Sequence, residues 1–321
     1  MVNFGYTLMC EQTGPCELVD DAVRAEEAGY DFAAISDHYN PWLVEQGHSP
    51  FAWSVLGAVA YATQNLELMT MVTCPIRRYH PAVVAQQAAT IGAMSQGRFT
   101  LGLGAGSPQL AEGLHDVPFR APVRRLGEVA RQVRALLDGE RLTPSAGGRG
   151  LRLAAPAPVP LHLAALGPAA VRLAGEVADA WVPFLQPLSG LKGRICLLEE
   201  AAARVGRPRP RVTPGLPTAR SPEVAAWWLA FYLTSMGPLY ATSLREQGLG
   251  EAVDAVLAAN GRGVPPTVPP AAQVLVDELL VTGPGELERW YAAGVDAPGL
   301  VLPPGRPLDE LEQTLRTFAA G

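Results

Sequence analysis

A chain of 321 residues has room for one large domain or two ordinary ones, and an apolar fraction of 48% suits a globular protein with a sizeable core. A net charge of −6 without any Lys/Arg tract argues against nucleic-acid binding, and no apolar run approaches the roughly 18 residues of a membrane span. Met1-Val-Asn-Phe-Gly-Tyr6 lacks the pattern of a signal peptide, and Cys10, Cys16, Cys74 and Cys196 show no metal spacing, so a reduced cytoplasmic protein without a metal site is expected.

Strand and helix signals alternate along the chain. Residues 2–9 read as a strand, and 17–28 as a helix with Leu18, Ala22, Val23, Ala25 and Ala28 on one side, ending at Gly29. Strands are predicted at 31–36, 66–73, 98–103, 160–164, 180–183, 211–215 and 298–302. Helices are predicted at 52–63, 81–94, 123–137, from Pro168, at 188–205 and at 308–319. Residues 142–160, rich in Gly, Pro and Ala, read as a loop. Eight strand–helix repeats predict a (β/α)8 TIM barrel, with a doubly wound open sheet as the alternative because periodicity cannot show closure. Residues 216–275 break the repeat with helical stretches at 222–235 and 251–259 and a proline-rich tract at 264–270. They read as a helical insertion at the C-terminal face, where barrel insertions shape substrate pockets.

The chemistry-bearing residues follow strands. Ser36-Asp-His-Tyr-Asn-Pro-Trp42 puts an acid, an imidazole and an indole at one strand end; a packed polar loop is the plainer reading. Glu11, past the first strand, would share that face in a barrel. Gly102-Leu-Gly-Ala-Gly106 lets backbone approach a ligand closely but is not a dinucleotide fingerprint. Leu161-His-Leu-Ala-Ala-Leu-Gly-Pro-Ala-Ala170 runs from a strand through Gly167 into a helix, leaving the N–H groups of Ala169 and Ala170 free for a phosphate. Cys74 is a possible nucleophile, but reads better as a small pocket-lining residue, since no base adjoins it. Arg77 and Arg78 read as surface arginines or as anion contacts. His162 reads as a core histidine, and His48, His80 and His115 lack metal spacing. No serine-hydrolase elbow or Walker loop is present.

Together with Ala25-Glu-Glu-Ala-Gly-Tyr-Asp31, the stretch 73–87 and the tail 283–296, these segments resemble the luciferase-like flavin/deazaflavin oxidoreductase superfamily. The resemblance is strongest to the branch containing F420-dependent glucose-6-phosphate dehydrogenase, and Ser-Asp-His-x-x-Pro-Trp is its most specific piece. It implies one TIM-barrel domain over 1–321, a homodimer, and coenzyme F420, a deazaflavin, across the barrel mouth. By similarity, Asp37 hydrogen-bonds the deazaflavin, His38 is the acid/base, Trp42 walls the substrate and Glu11 lines the mouth. Met71, Val72, Cys74, Ala105 and Gly106 lie against the cofactor, with a cis peptide at Met71–Val72. Leu166, Gly167, Ala169 and Ala170 match the phosphate-binding segment. Two departures stand out. Ser107 occupies the place of the branch's second acid/base glutamate, and Trp181-Val-Pro-Phe-Leu-Gln-Pro187 replaces its phosphate-binding threonine and lysine. Glucose 6-phosphate is therefore not the expected substrate. A less polar molecule in a pocket with Ser107, Trp42, Phe184 and Trp227 or Trp228 is expected, with a reductase running from reduced F420 at least as well supported as a dehydrogenase. An FMN-dependent monooxygenase and an inactive cofactor-binding barrel are the alternatives.

Overall fold

The computed structural model describes residues 3–43, 46–108, 118–142, 150, 152–261, 266–303 and 308–319. Of the sequence expectations, His115 and parts of the 142–160 loop and the 264–270 tract lie outside the described residues. Strands β1 (Gly5–Leu8), β2 (Phe32–Ile35), β3 (Glu67–Thr70), β4 (Phe99–Leu103), β5 (Leu161–Ala164) and β6 (Ala180–Val182) lie side by side in chain order, all parallel. Between and after them run α1 (Pro15–Glu27), α2 (Ala52–Ala62), the one-turn α3 (Pro75–Arg78), α4 (Pro81–Met94), α5 (Pro122–Leu137), α6 (Pro168–Val177) and α7 (Leu188–Arg204).

Closure comes from the seventh strand. It is split into β7 (Arg211–Val212) and β8 (Gly215–Pro217) by Thr213-Pro214, and proline has no N–H to give a ladder. The backbone still bonds on both edges. Thr213 and Gly215 donate to Trp181 and Pro183 carbonyls at 2.8 and 2.9 Å. On the other edge, Val212 and Pro214 carbonyls accept from Asp296 and Gly299 at 2.9 and 2.8 Å. The final strand, β9 (Gly299–Val301), pairs with both β8 and β1. Among the described residues nine strand segments thus fill eight positions, and the parallel sheet meets itself as a barrel.

After β8 the chain leaves the repeat as α8 (Pro222–Ser235), α9 (Pro238–Glu246), α10 (Gly250–Ala259) and α11 (Gln273–Leu279). It then returns through α12 (Leu287–Ala292) to β9 and ends in α13 (Leu308–Ala319). Residues 216 and 217 belong to the barrel, so the insertion begins later than its expected start. Two cores result. The larger one packs the strands against the outer helices, with Leu8, Ile35, Leu68 and Leu101 fully buried. The second lies inside the insertion around Trp228, Leu229, Leu244 and Val253, and Trp42 and Phe184 from the barrel pack against its edge. Glycine is required at Gly102 of β4: a Cβ there would stand 1.9 Å from the Thr70 carbonyl oxygen. That close approach lets the Thr70 hydroxyl and the Gly102 backbone exchange two hydrogen bonds of 2.8 and 2.9 Å.

Candidate active site

The loops after β1 and β2 meet in a buried polar chain. The Cys10 N–H donates to Ser36 Oγ at 2.9 Å, and the Ser36 hydroxyl donates to Glu11 Oε2 at 2.8 Å. The other oxygen of Glu11, Oε1, contacts His38 Nδ1. Glu11 is fully buried, and its side-chain partners among the described residues are the Ser36 hydroxyl and His38. Burial and the nearby Arg78 guanidinium push the His38 imidazole down to about 4. The ring is therefore neutral at pH 7. Its Nδ1–H is given to Glu11, and Nε2 keeps a free lone pair. Trp42 meets this ring edge-on, with centroids 4.5 Å apart.

Asp37, the residue before His38, is held by neighbouring side chains. Its carboxylate accepts from the Thr73 hydroxyl at 2.8 Å and the Tyr79 hydroxyl at 3.1 Å, and pairs with Arg78 at 2.8 Å. Burial raises its pKa, opposed by Arg78 and the two hydroxyls. Arg78 also donates to the Asp37 carbonyl at 2.8 Å. Arg78 is thus neither a free surface arginine nor an anion contact. This cluster fixes the loop that presents His38, and the Asp37 side chain lies outside the cavity described next.

A cavity of about 360 Å³ opens at the C-terminal ends of the strands. It gathers Glu11, His38, Trp42, Met71, Val72, Cys74, Ala105, Gly106, Ser107, Leu166, Gly167, Ala170 and Phe184 from the sequence expectations. The Met71–Val72 peptide is cis. Burial and the Asp37 charge push the Cys74 thiol up to about 12, so it carries no thiolate at neutral pH and is no nucleophile. His162 sits mid-strand in β5, away from the cavity. Burial holds it down to about 4, and Nδ1 has no hydrogen-bond partner among the described residues.

The start of α6 borders the cavity. Gly167 is its N-cap, Pro168 opens the first turn, and no side chain caps it. A Cβ on Gly167 would meet nothing within 4 Å, so the approach to the first-turn N–H groups is open. Ala170 faces the cavity; Ala169 turns outward.

Trp227 and Trp228 do not line the cavity. Trp228 is buried inside the insertion, 4.5 Å centroid to centroid from Tyr232, one helical turn on. Tyr232, Met236, Leu239 and Tyr240 form the insertion's share of the wall instead. The aromatic run in α8 signals such a wall, but not which residues turn inward. Among the described lining residues there is no lysine or arginine.

A family model described as luciferase-like monooxygenase matches residues 2–287. The F420-dependent glucose-6-phosphate dehydrogenase of Nakamurella multipartita is 42% identical over 193 residues, covering 56% of this chain and 56% of that protein. The chain thus spans about half the length of the curated relatives it matches. Among solved structures, an F420-dependent secondary alcohol dehydrogenase in complex with an F420-acetone adduct superposes with a TM-score of 0.81 at 23% identity. The coenzyme F420-dependent tetrahydromethanopterin reductase of Methanopyrus kandleri gives 0.74 at 19%. Each likeness covers 99% of this chain and 97% of the other, and establishes a shared fold.

Proposed function

We propose, for a chain that belongs to the luciferase-like monooxygenase family, an F420-dependent oxidoreductase acting on an uncharged organic alcohol, carbonyl or activated C=C bond. The observation that carries this reading is the Glu11–His38 pair, which faces a largely apolar cavity bordered by an open helix start.

The residues present fit the cofactor. The first turn of α6, with Gly167 and Ala170, would hold its phosphate. Ala105, Gly106 and the Met71–Val72 backbone offer small side chains and main chain against a flat ring system. When bound, F420 exchanges a hydride at C5 of its deazaflavin. His38 holds the proton that leaves or rejoins the substrate's oxygen, through the Nε2 lone pair, while Glu11 fixes the ring through Nδ1. Trp42 walls the cavity beside His38. Oxidation uses the neutral ring as it stands; in reduction Nε2 first takes a proton from water and then passes it to the substrate's oxygen. Glucose 6-phosphate is not the substrate we propose: with the α6 start taken by the cofactor's phosphate, the described lining offers a second phosphate no lysine or arginine.

We also read the chain as one barrel domain acting as a homodimer. α2 and α4 contain no charged residue, yet expose Tyr61, Val83 and Met94, a pattern that fits coverage by a second copy. The experiment for the catalytic reading is titration of the apo-protein with F420 and with FMN, followed by fluorescence. Saturable F420 binding with no comparable FMN binding is expected. Tight FMN binding, with oxygen consumed by the reduced complex, would overturn it.

A further inference from the structure

The barrel side of the cavity carries its acid–base pair, and the insertion side carries two phenols. Tyr232 lies on α8 and Tyr240 on α9, either side of a tight turn at Gly237 (φ 77°). Their rings stand 5.4 Å apart at 82°, and Phe184 packs against both at 4.9 and 5.8 Å. Trp228 backs Tyr232 from the insertion core. The rings are thus held by aromatic contacts. Neither hydroxyl makes a hydrogen bond among the described residues, and neither is sealed off from open space.

A phenol needs a partner when its surroundings are apolar, and a hydroxyl left facing a cavity takes it from whatever fills that cavity. Burial pushes both phenols up, so they stay protonated donors at any working pH. The nearby side chains that line the same wall, Phe184, Met236 and Leu239, offer no competing oxygen or nitrogen.

We propose that Tyr240, seconded by Tyr232, is a substrate-contacting pair that donates a hydrogen bond to the substrate's oxygen from the insertion side of the cavity. The pair selects a neutral ketone or alcohol with apolar arms over a hydrocarbon of the same shape. This deepens the proposed oxidoreductase reading and rests on it for the identity of the reacting bond. The phenols orient that bond, and His38 handles its proton.

The test uses the full-length apo-protein and two probes of matched shape, cyclohexanone and methylenecyclohexane, with binding followed by tryptophan fluorescence. The wild type should bind the ketone roughly tenfold tighter than the hydrocarbon. Y240F should lose most of that preference, and Y240F/Y232F all of it, with hydrocarbon affinity within twofold of wild type. Equal wild-type affinities, binding of neither probe, or a preference kept by the double variant would each overturn the proposal. F420 titration of the same proteins separates it from the catalytic reading. F420 should bind all three alike. A wild type that ignores F420 while its ketone preference follows the tyrosines would sink the cofactor and leave this site standing.

Discussion

His38 and Asp37 are neighbours in sequence with opposite fates. Both follow β2, and the sequence marks them equally as reactive. What separates them is supplied from far along the chain: Thr73, Arg78 and Tyr79 claim the Asp37 carboxylate, while Glu11 claims one nitrogen of His38 and leaves the other free. No spacing rule shows which side chain turns inward, so the motif was legible and its division of labour was not. The depressed imidazole sets a pH signature. An ordinary histidine base would gain its proton, and fall idle, as pH drops through about 6.5. Here burial and Arg78 hold the imidazole down, so the acidic limb of kcat/KM for alcohol oxidation should lie below about 6.5, with no loss between pH 8 and 7. His38→Ala should lower turnover roughly 100-fold or more at every pH in that range. An acidic limb centred near 6.5, or unchanged turnover in the variant, would remove His38 from the proton step.

At the scale of elements, α6 and its entry were readable because their signals are local. A strand, a glycine, a first-turn proline and two alanines describe an open helix start without reference to the rest of the molecule. The same holds for Pro81–Met94 and Pro222–Ser235, each entered by proline and carried by a largely apolar run. Helix α9 escaped notice because Gly237-Pro238 reads as a break and only nine residues follow. The seventh strand read short because Pro214 interrupts its ladder, and its true length is set by pairing on two edges. The α6 start gives a test in which stability and binding part company. Ala170→Asp puts a carboxylate in the first turn, where the helix dipole favours it by about 0.5 kcal/mol. The same charge repels a bound phosphate. Thermal melting of the apo-protein should therefore hold or rise slightly, while F420 affinity falls at least tenfold. Unchanged F420 affinity would place its phosphate elsewhere.

For the whole molecule, the barrel was legible from the count of strand–helix repeats, whereas closure was not. Closure is a set of hydrogen bonds between residues 181–183, 212–215 and 296–299, and periodicity is blind to it. The described residues contain no helix long and apolar enough to cross a membrane. The uncharged helices α2 and α4 carry the prediction that belongs at this scale. Sedimentation should give twice the 34.0 kDa of one chain, and Y61E together with M94E should shift it toward the single-chain mass. A wild type that sediments as one chain at micromolar concentration would end the dimer reading.

The second core inside the insertion has an evolutionary consequence. Because the roof over the cavity packs largely on itself, its residues can drift without disturbing the strands that hold Glu11, His38 and the α6 turn. Substitutions in the roof can then reshape the cavity while the wall that carries the Glu11–His38 pair stays as it was.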